Sequence, residues 1–354
     1  MRCVYLAGRG LASSLGLDLP QAVAALTRAP SAPPRSVLPG ALGGSYPFHA
    51  IPYQDASWDQ RARHLVERVA TEAGADQAKY GALFIATSSF DVGAAQQGAH
   101  DMDFPAFAAK IGGWLTWQGP IYVVSTACTS SVNALLAAQA MLSAGRIDDA
   151  VVLGLELDNH LTLGGFAAMQ LLAPGACLPF GLGRDGLVLG EAVTVLRLSC
   201  RPASWRLAGG ANVVDGKQLT GASAEAVANM CRRALAASAV AAETIDLIKV
   251  QAAGSPSNDQ AEAQGLQAVF KPMPALISLK AVLGHTVAAS GAAEIALLTA
   301  CLEHNLWPRC NSSPDPALGV SLATQAPESV RHILATILGF GGSHATVVLE
   351  RISA

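Results

Sequence analysis

Two residues stand where side-chain chemistry is easiest to build. Cys128 follows a short apolar run, residues 121–125, and precedes a helical pattern that opens on the hydroxyls Thr129, Ser130 and Ser131. A thiol at such a helix start faces unpaired backbone N–H groups and the positive end of the helix dipole. That setting is expected to lower its pKa toward the nucleophilic range. The competing reading is an inert core cysteine, because free cysteines are commonly buried. His285, in Gly284-His285-Thr286, also precedes a helical pattern. A neutral imidazole is favoured near a helix N-terminus, and it can donate a hydrogen bond where negative charge develops. Its plainer role would be capping or packing. Lys280, Glu294 and Phe340, taken singly, read as a solvated strand end, a helix-surface carboxylate and a core aromatic.

Other chemistries lack their residues. No HExxH, cysteine cluster or His/carboxylate spacing forms a metal site. Residues 339–342 (Gly-Phe-Gly-Gly) lack the Lys-Ser/Thr of a phosphate loop, and Gly8-Arg9-Gly10 is followed by Ser13 where a dinucleotide fingerprint needs its third glycine. His49, His64, His100, His304 and His332 lie in polar or loop-like stretches and call for no role, whereas His160 and His344 read either way. The seven cysteines, Cys310 among them, are odd in number, widely spaced and without a CxxC pair, which argues against a disulfide framework.

Positioning such residues requires a large core, and the composition provides it. The 354 residues are 51% hydrophobic and only 14% charged, which excludes disorder and implies that much of the exterior is covered by a partner or by further layers. A net charge of −3 gives no field for nucleic acid or anionic membranes. Apolar runs are too short to span a bilayer. Gly8-Arg9-Gly10 breaks the apolar run of residues 3–7, so no secretory h-region is expected and the protein reads as reduced and cytoplasmic.

Short apolar runs without clean alternation predict strands covered on both faces at residues 3–7, 80–87, 121–125, 151–155, 247–252, 275–279, 333–338 and 346–349. Helical patterns cover 19–26, 59–73, about 130–144, 224–235 and about 287–302. Gly8-Arg9-Gly10 reads as a turn, residues 30–58 as an irregular excursion and residues 280–285 as a polar turn. The order strand, turn, small-residue helix occurs around Cys128 and again around His285. This weak internal duplication would place both residues at equivalent helix starts on a central seam.

Four ordered motifs then resemble a known family. They are Ala127-Cys128-Thr129-Ser130-Ser131; Pro179-Phe180 with the stretch 184–191 (RDGLVLGE); Lys280 with Gly284-His285-Thr286; and Gly339-Phe340-Gly341-Gly342. Together they resemble beta-ketoacyl-ACP synthases of the elongating type, over nearly the whole chain. The overall look is similar to the ketosynthase-like and chain-length-factor-like proteins of bacterial aryl-polyene clusters. The resemblance implies an α/β, thiolase-like, five-layer αβαβα fold of two pseudo-duplicated halves. These would be 1–205, carrying Cys128, and 206–354, carrying Gln251, His285 and the 339–342 loop. It implies a dimer, no cofactor, and an acyl carrier protein bringing malonyl or acyl thioesters. By the same resemblance Cys128 matches the acylated nucleophile, His285 the second catalytic histidine and Lys280 its supporting lysine. Glu294 matches a structural acid and Phe340 the gate, with Gly339 and Gly341 beside it. The backbone N–H groups of Cys128 and Phe340 match the oxyanion hole.

One position departs sharply. The family carries His-Gly-Thr after a strand like 247–250; counting back from Asn258, Asp259 and Glu262 without a gap puts Gln251 there, followed by Ala252 and Ala253. A glutamine amide can donate a hydrogen bond but carries no proton and no charge at pH 7. Losing one such donor costs about 10²–10³ in rate. Thr336-Ile337-Leu338 and His344 are smaller departures near the gate. Three readings follow. One is a chain-length-factor-like partner that shapes the acyl tunnel of a complete ketosynthase, and the rewritten position favours it. The alternative is a self-sufficient decarboxylative condensing enzyme using Cys128 and His285, as homodimer rather than heterodimer. A scaffold touching neither chain nor tunnel is the third reading. A tunnel lined by Phe166, Met169 or Phe340 would serve either of the first two.

Overall fold

The computed structural model describes residues 2–352 apart from 28–31, 39–42, 56, 99–102, 217–218 and 309–311. His100 and Cys310 thus lie outside the described residues. In chain order the first half runs β1 (Val4–Ser13), α1 (Leu19–Ala25), β2 (Arg35–Leu38), β3 (Gly44–His49), α2 (Trp58–Glu72), β4 (Ala82–Ala86), α3 (Val92–Gln96), α4 (Phe104–Trp114), β5 (Ile121–Val124), α5 (Ser130–Ser143), β6 (Asp149–Glu156), α6 (His160–Ala168), β7 (Leu189–Gly190) and β8 (Ala192–Ser199). The second runs β9 (Trp205–Val214), α7 (Ala224–Ser238), β10 (Leu247–Lys249), α8 (Pro256–Gln267), β11 (Ala275–Ile277), α9 (Lys280–Leu283), α10 (Ser290–Glu303), β12 (His332–Leu338) and β13 (Ser343–Arg351).

Ten strands connect in the order β11-β10-β12-β13-β9-β1-β8-β6-β4-β5. The order is a duplication. Reading outward from β1 or from β9, both arms use their first, fifth, fourth, second and third strands. In both, the first two pairings are antiparallel and the outer two parallel. The arms join in the sheet where Val4 and Tyr5 pair with Leu207 and Arg206. Because each strand is covered twice, alternate residues enter different layers. Leu83, Ile85, Val151 and Leu153 pack outward with Leu65, Val66 and Val69 of α2, whereas Phe84 and Val152 face a central layer containing Val132, Leu135 and Leu298. On the other arm Leu334 and Val348 meet Val227, Met230 and Leu266 of α7 and α8, while Ile333, Ile337 and Val347 face the centre. Helix, sheet, helix, sheet, helix is the expected five-layer arrangement. The central layer is α5 and α10, the helices that follow the third strand of each arm.

Three local readings are corrected. Gly8-Arg9-Gly10 does not turn; β1 runs through it. A Cβ at Gly8 would lie 2.1 Å from the Ala73 carbonyl oxygen, and one at Gly10 2.2 Å from that of Val69, so these glycines let α2 press directly onto the strand. The 30–58 excursion contains the β2–β3 hairpin, whose second strand pairs parallel with β7. The polar turn at 280–285 includes the short helix α9. Strands β8 and β9 and helices α4, α6 and α8 were not anticipated from the sequence pattern.

Candidate active site

The chain leaves β5 and turns sharply at Ala127, whose φ of 52° is left-handed. Ser130 Oγ closes the turn, donating to the Ala127 carbonyl at 2.6 Å and accepting from the Thr126 N–H at 2.9 Å. Cys128 is thereby delivered to the start of α5 with 2% of its surface exposed. On the duplicate arm Gly284, at φ 71°, plays the turning part before His285. A Cβ there would sit 2.8 Å from the Leu189 carbonyl oxygen. The strap carrying β7 fixes His285 by its backbone: its N–H donates to Val188 O at 2.7 Å, and its carbonyl accepts from Gly190 N–H at 3.1 Å.

The two side chains meet across the central layer. His285 Nε2 stands 3.0 Å from Cys128 Sγ, and Nδ1 stands 3.1 Å from Ser290 Oγ, which is 3.2 Å from Thr286 Oγ1. Burial, then Lys280, then Lys249 hold the imidazole well below its ordinary pKa, so it is neutral. The expected lowering of the Cys128 pKa is overturned: burial pushes the thiol up to about 11. Lys280 and the backbone N–H groups of Phe340 and Cys128 itself pull the other way, and Glu156 adds to the rise. Desolvation of a fully enclosed thiol outweighs the helix start. Cys301, buried without such help, is pushed further, to about 12.

Lys280 is fully buried, not a solvated strand end, and Glu294 is buried, not a helix-surface carboxylate. Lys280 Nζ donates to Glu294 Oε1, and Lys249 Nζ donates to Glu294 Oε2 at 2.7 Å. Lys249 escaped the sequence reading, although a lysine inside the apolar run of residues 247–250 was a signal. Glu156, at the end of β6, was also missed. It accepts from the N–H and hydroxyl groups of Ser88 and Ser89 and from Ala288 N–H, so it ties β6 to the segment just after His285.

The loop after β10 keeps the frame counted from the sequence. Glu262 accepts from the N–H groups of Gln251 and Ala252 at 2.8 and 2.7 Å, and Asp259 accepts from those of Ala253, Gly254 and Phe180. Burial pushes Asp259 up to about 7. Gln251 shares a cavity with Cys128 and His285, and its buried Oε1 has no hydrogen-bond partner among the described residues.

The 339–342 loop closes the cavity. Phe340 stacks on Phe166 at 5.2 Å, and Phe166 meets the His285 ring edge-on at 6.5 Å. Ser343 Oγ lies 2.9 Å from Thr129 Oγ1, tying the loop to the helix start. Gly341 (φ 72°) and Gly342 (φ 74°) are left-handed, and a Cβ at Gly342 would lie 1.7 Å from the Asp215 carbonyl oxygen. The cavity is about 30 Å³, room for two or three waters at roughly 10–15 Å³ each. Met169, expected at a tunnel wall, is 45% exposed at the surface. His344 is buried on the outer side of β13, and neither ring nitrogen has a partner among the described residues. His49, read as needing no role, is also buried. Among the described residues no His, Cys, Asp and Glu cluster could hold a metal, and no helix is long and apolar enough to cross a membrane.

Comparison with known proteins agrees with this geometry. Residues 55–201 match the family model described as beta-ketoacyl synthase, N-terminal domain, and residues 207–313 the one described as beta-ketoacyl synthase, C-terminal domain. Nodulation protein E of Rhizobium meliloti is 28% identical over 263 residues, covering 70% of this chain and 66% of that protein. The 3-oxoacyl-[acyl-carrier-protein] synthase 2 of Mycobacterium leprae is 27% identical over 245 residues, 63% of this chain and 58% of the other. The matched stretches thus span less than two thirds of these relatives. The ketosynthase ApeO in complex with its chain length factor ApeC from Xenorhabdus doucetiae superimposes with a TM-score of 0.86 at 23% identity, covering 99% of this chain and 98% of that one. The ishigamide ketosynthase/chain length factor gives 0.86 at 21%, covering 99% and 100%. At these identities the structural likeness speaks for the fold.

Proposed function

The chain belongs to the beta-ketoacyl synthase family, and on that premise we propose that it is a chain-length-factor-like partner subunit, shaping the acyl tunnel of a complete ketosynthase. The setting would be a type II fatty-acid, polyketide or aryl-polyene system in the cytoplasm, with the growing chain delivered by an acyl carrier protein. The observation that carries this reading is Gln251, seated in the same cavity as Cys128 and His285 by Glu262 and offering no proton and no charge. Two solved structures of similar fold are themselves ketosynthase and chain-length-factor complexes, which supports a heterodimer. The low charge content fits a large buried interface, and nothing in it favours nucleic acid or membrane. We take 1–205 and 206–354 as the two halves.

A second reading is favoured by the 3.0 Å approach of His285 to Cys128, which a purely structural subunit does not need. In a self-sufficient condensing enzyme His285 would take the thiol proton as Cys128 attacks an acyl thioester, and would return it to the departing carrier thiolate as the substrate C–S bond breaks. The N–H groups of Cys128 and Phe340 would stabilise the oxyanion, and Lys280 and Glu294 would hold the imidazole in place.

Co-purification with the ketosynthase of the same pathway, followed by condensation assays, separates the two. In a partner subunit Cys128→Ala and Gln251→His leave the assembled heterodimer unchanged, and Phe in place of small tunnel-lining residues shortens the product. Abolition of elongation by Cys128→Ala, or condensation by the isolated chain at about one per second, establishes the second reading instead.

A further inference from the structure

Residues 247–250 are apolar except for Lys249, on a strand covered by helices on both faces. An ammonium group in such a place costs several kcal/mol unless it is fully paired, and an apolar side chain of the same volume would fill the space more cheaply. Its side chain is 1% exposed, and its Nζ donates to Glu294 Oε2 at 2.7 Å and to the Thr336 carbonyl at 2.6 Å. Glu294 gives its other oxygen to Lys280, whose side chain is 0% exposed. One carboxylate therefore stands between two ammonium groups. Ionised, the trio keeps one positive charge uncancelled.

Lys249 also joins the parts of the site. Thr336, whose carbonyl it holds, donates its hydroxyl to Glu262 Oε1 at 2.7 Å, and that same carboxylate seats the Gln251 loop. Through β12 the link continues to Gly339 and Phe340; through Glu294 and Lys280 it reaches α10 and α9 on either side of His285. The titratable and charged groups around the trio are Glu262 and Asp259 from α8, His285 and Cys128 at the two helix starts, and Glu156 from β6. Burial raises Glu262, Asp259 and Glu156 toward their neutral forms. Burial pulls Lys249 below its ordinary value, with Glu294 holding it charged from the other side. Burial also opposes ionisation of Glu294, but Lys249 and then Lys280 outweigh it and hold that carboxyl below its ordinary range.

We infer that Lys249 is a positioning residue of the Cys128 site: it clamps Glu294 from the side opposite Lys280 and leaves the buried trio one positive charge in excess, which supports the anion formed at Cys128. When the thiol proton passes to His285 Nε2, or when an oxyanion forms on a bound thioester, the new negative charge arises in a closed, water-poor cavity. Gln251 has no charge to offer it. With Lys249 apolar, Glu294 would neutralise Lys280 and the site would present no net cation.

Alkylation of Cys128 in the isolated chain by iodoacetamide, followed by peptide mass between pH 7 and 10, tests this without carrier protein or partner. The result is therefore independent of whether the chain condenses or only shapes a tunnel. Lys249→Met is expected to slow alkylation roughly tenfold at a given pH, one pKa unit of lost charge support. Glu294→Gln, which adds net positive charge, should speed it by a similar factor. The double variant Lys249→Met with Glu294→Gln should return close to the original rate, and Lys249→Arg should keep it. A merely structural lysine predicts instead that Lys249→Met and Glu294→Gln both disturb the site in the same direction. That result, or an unchanged pH profile in folded Lys249→Met, overturns the inference. Should Lys249→Met fail to fold, Glu294→Gln against the double variant decides: equal rates in those two refute the charge role.

Discussion

His285 Nε2 lies 3.0 Å from Cys128 Sγ, although the two residues are 157 positions apart and both are sealed from solvent. Each follows the third strand of its arm and precedes a central-layer helix, so the duplication of the sheet is what brings thiol and imidazole together. With the thiol pushed up to about 11 and the imidazole neutral, the resting pair is thiol and imidazole, not an ion pair.

That resting state makes any acylation dependent on proton transfer to His285. His285→Ala is expected to slow acylation of Cys128 by an acyl-carrier thioester by about 10²-fold or more. Intact-mass time courses at pH 7.5 measure it. The variant's residual rate should climb with pH toward 11, as hydroxide takes over the proton. An unchanged rate at pH 7.5 would show that the imidazole takes no part.

Gln251 carries a buried carbonyl oxygen without a partner. Removing such a group while keeping its volume should stabilise the fold, so Gln251→Met is expected to gain about 1–2 kcal/mol. Urea unfolding gives the answer. A loss of stability would mean that the amide is satisfied in solution.

A glycine pressed under α2 and one on the open face of α4 predict a contrast. Gly10→Ala, whose Cβ would stand 2.2 Å from the Val69 carbonyl oxygen, should cost about 3 kcal/mol by prying helix from strand. Gly113→Ala, on α4 with nothing within 4 Å of the added methyl, should be neutral or stabilising by up to about 1 kcal/mol. Melting temperatures of the pair provide the comparison, and equal losses would refute the packing account.

Burial pushes His49 down to about 4 from 6.5. A histidine depressed in the folded state contributes stability that is complete above 6.5 and is lost as pH falls toward 4, because the unfolded chain takes the proton first. The slope from this group is at most roughly 1.4 kcal/mol per pH unit. Asp259, raised by burial to about 7, works oppositely, its contribution fading as pH rises from about 4 to 7. His49→Asn should therefore lose less stability than the original chain between pH 7 and pH 5 in urea titrations. Parallel curves would place the imidazole in water.

The α/β class, the repeated order of strand and small-residue helix, and the frame that puts Gln251 after β10 are all legible in the chain read linearly. These depend on residues within a few positions of one another: apolar runs covered twice, Gly145 ending α5, and Asp259 and Glu262 counted from Asn258. Tertiary structure alone decided what depends on distant neighbours. Gly8 and Gly10 look like a turn until α2 is seen lying on them. Lys280 and Glu294 look like solvated charges until Lys249, from another strand, closes the trio. Cys128 has a local setting that should acidify its thiol, yet enclosure by Phe340, Phe166 and the opposite arm raises it. Dipole and turn chemistry are encoded locally, whereas desolvation is set by whatever the fold stacks on top, and in this protein the central layer is covered from both sides.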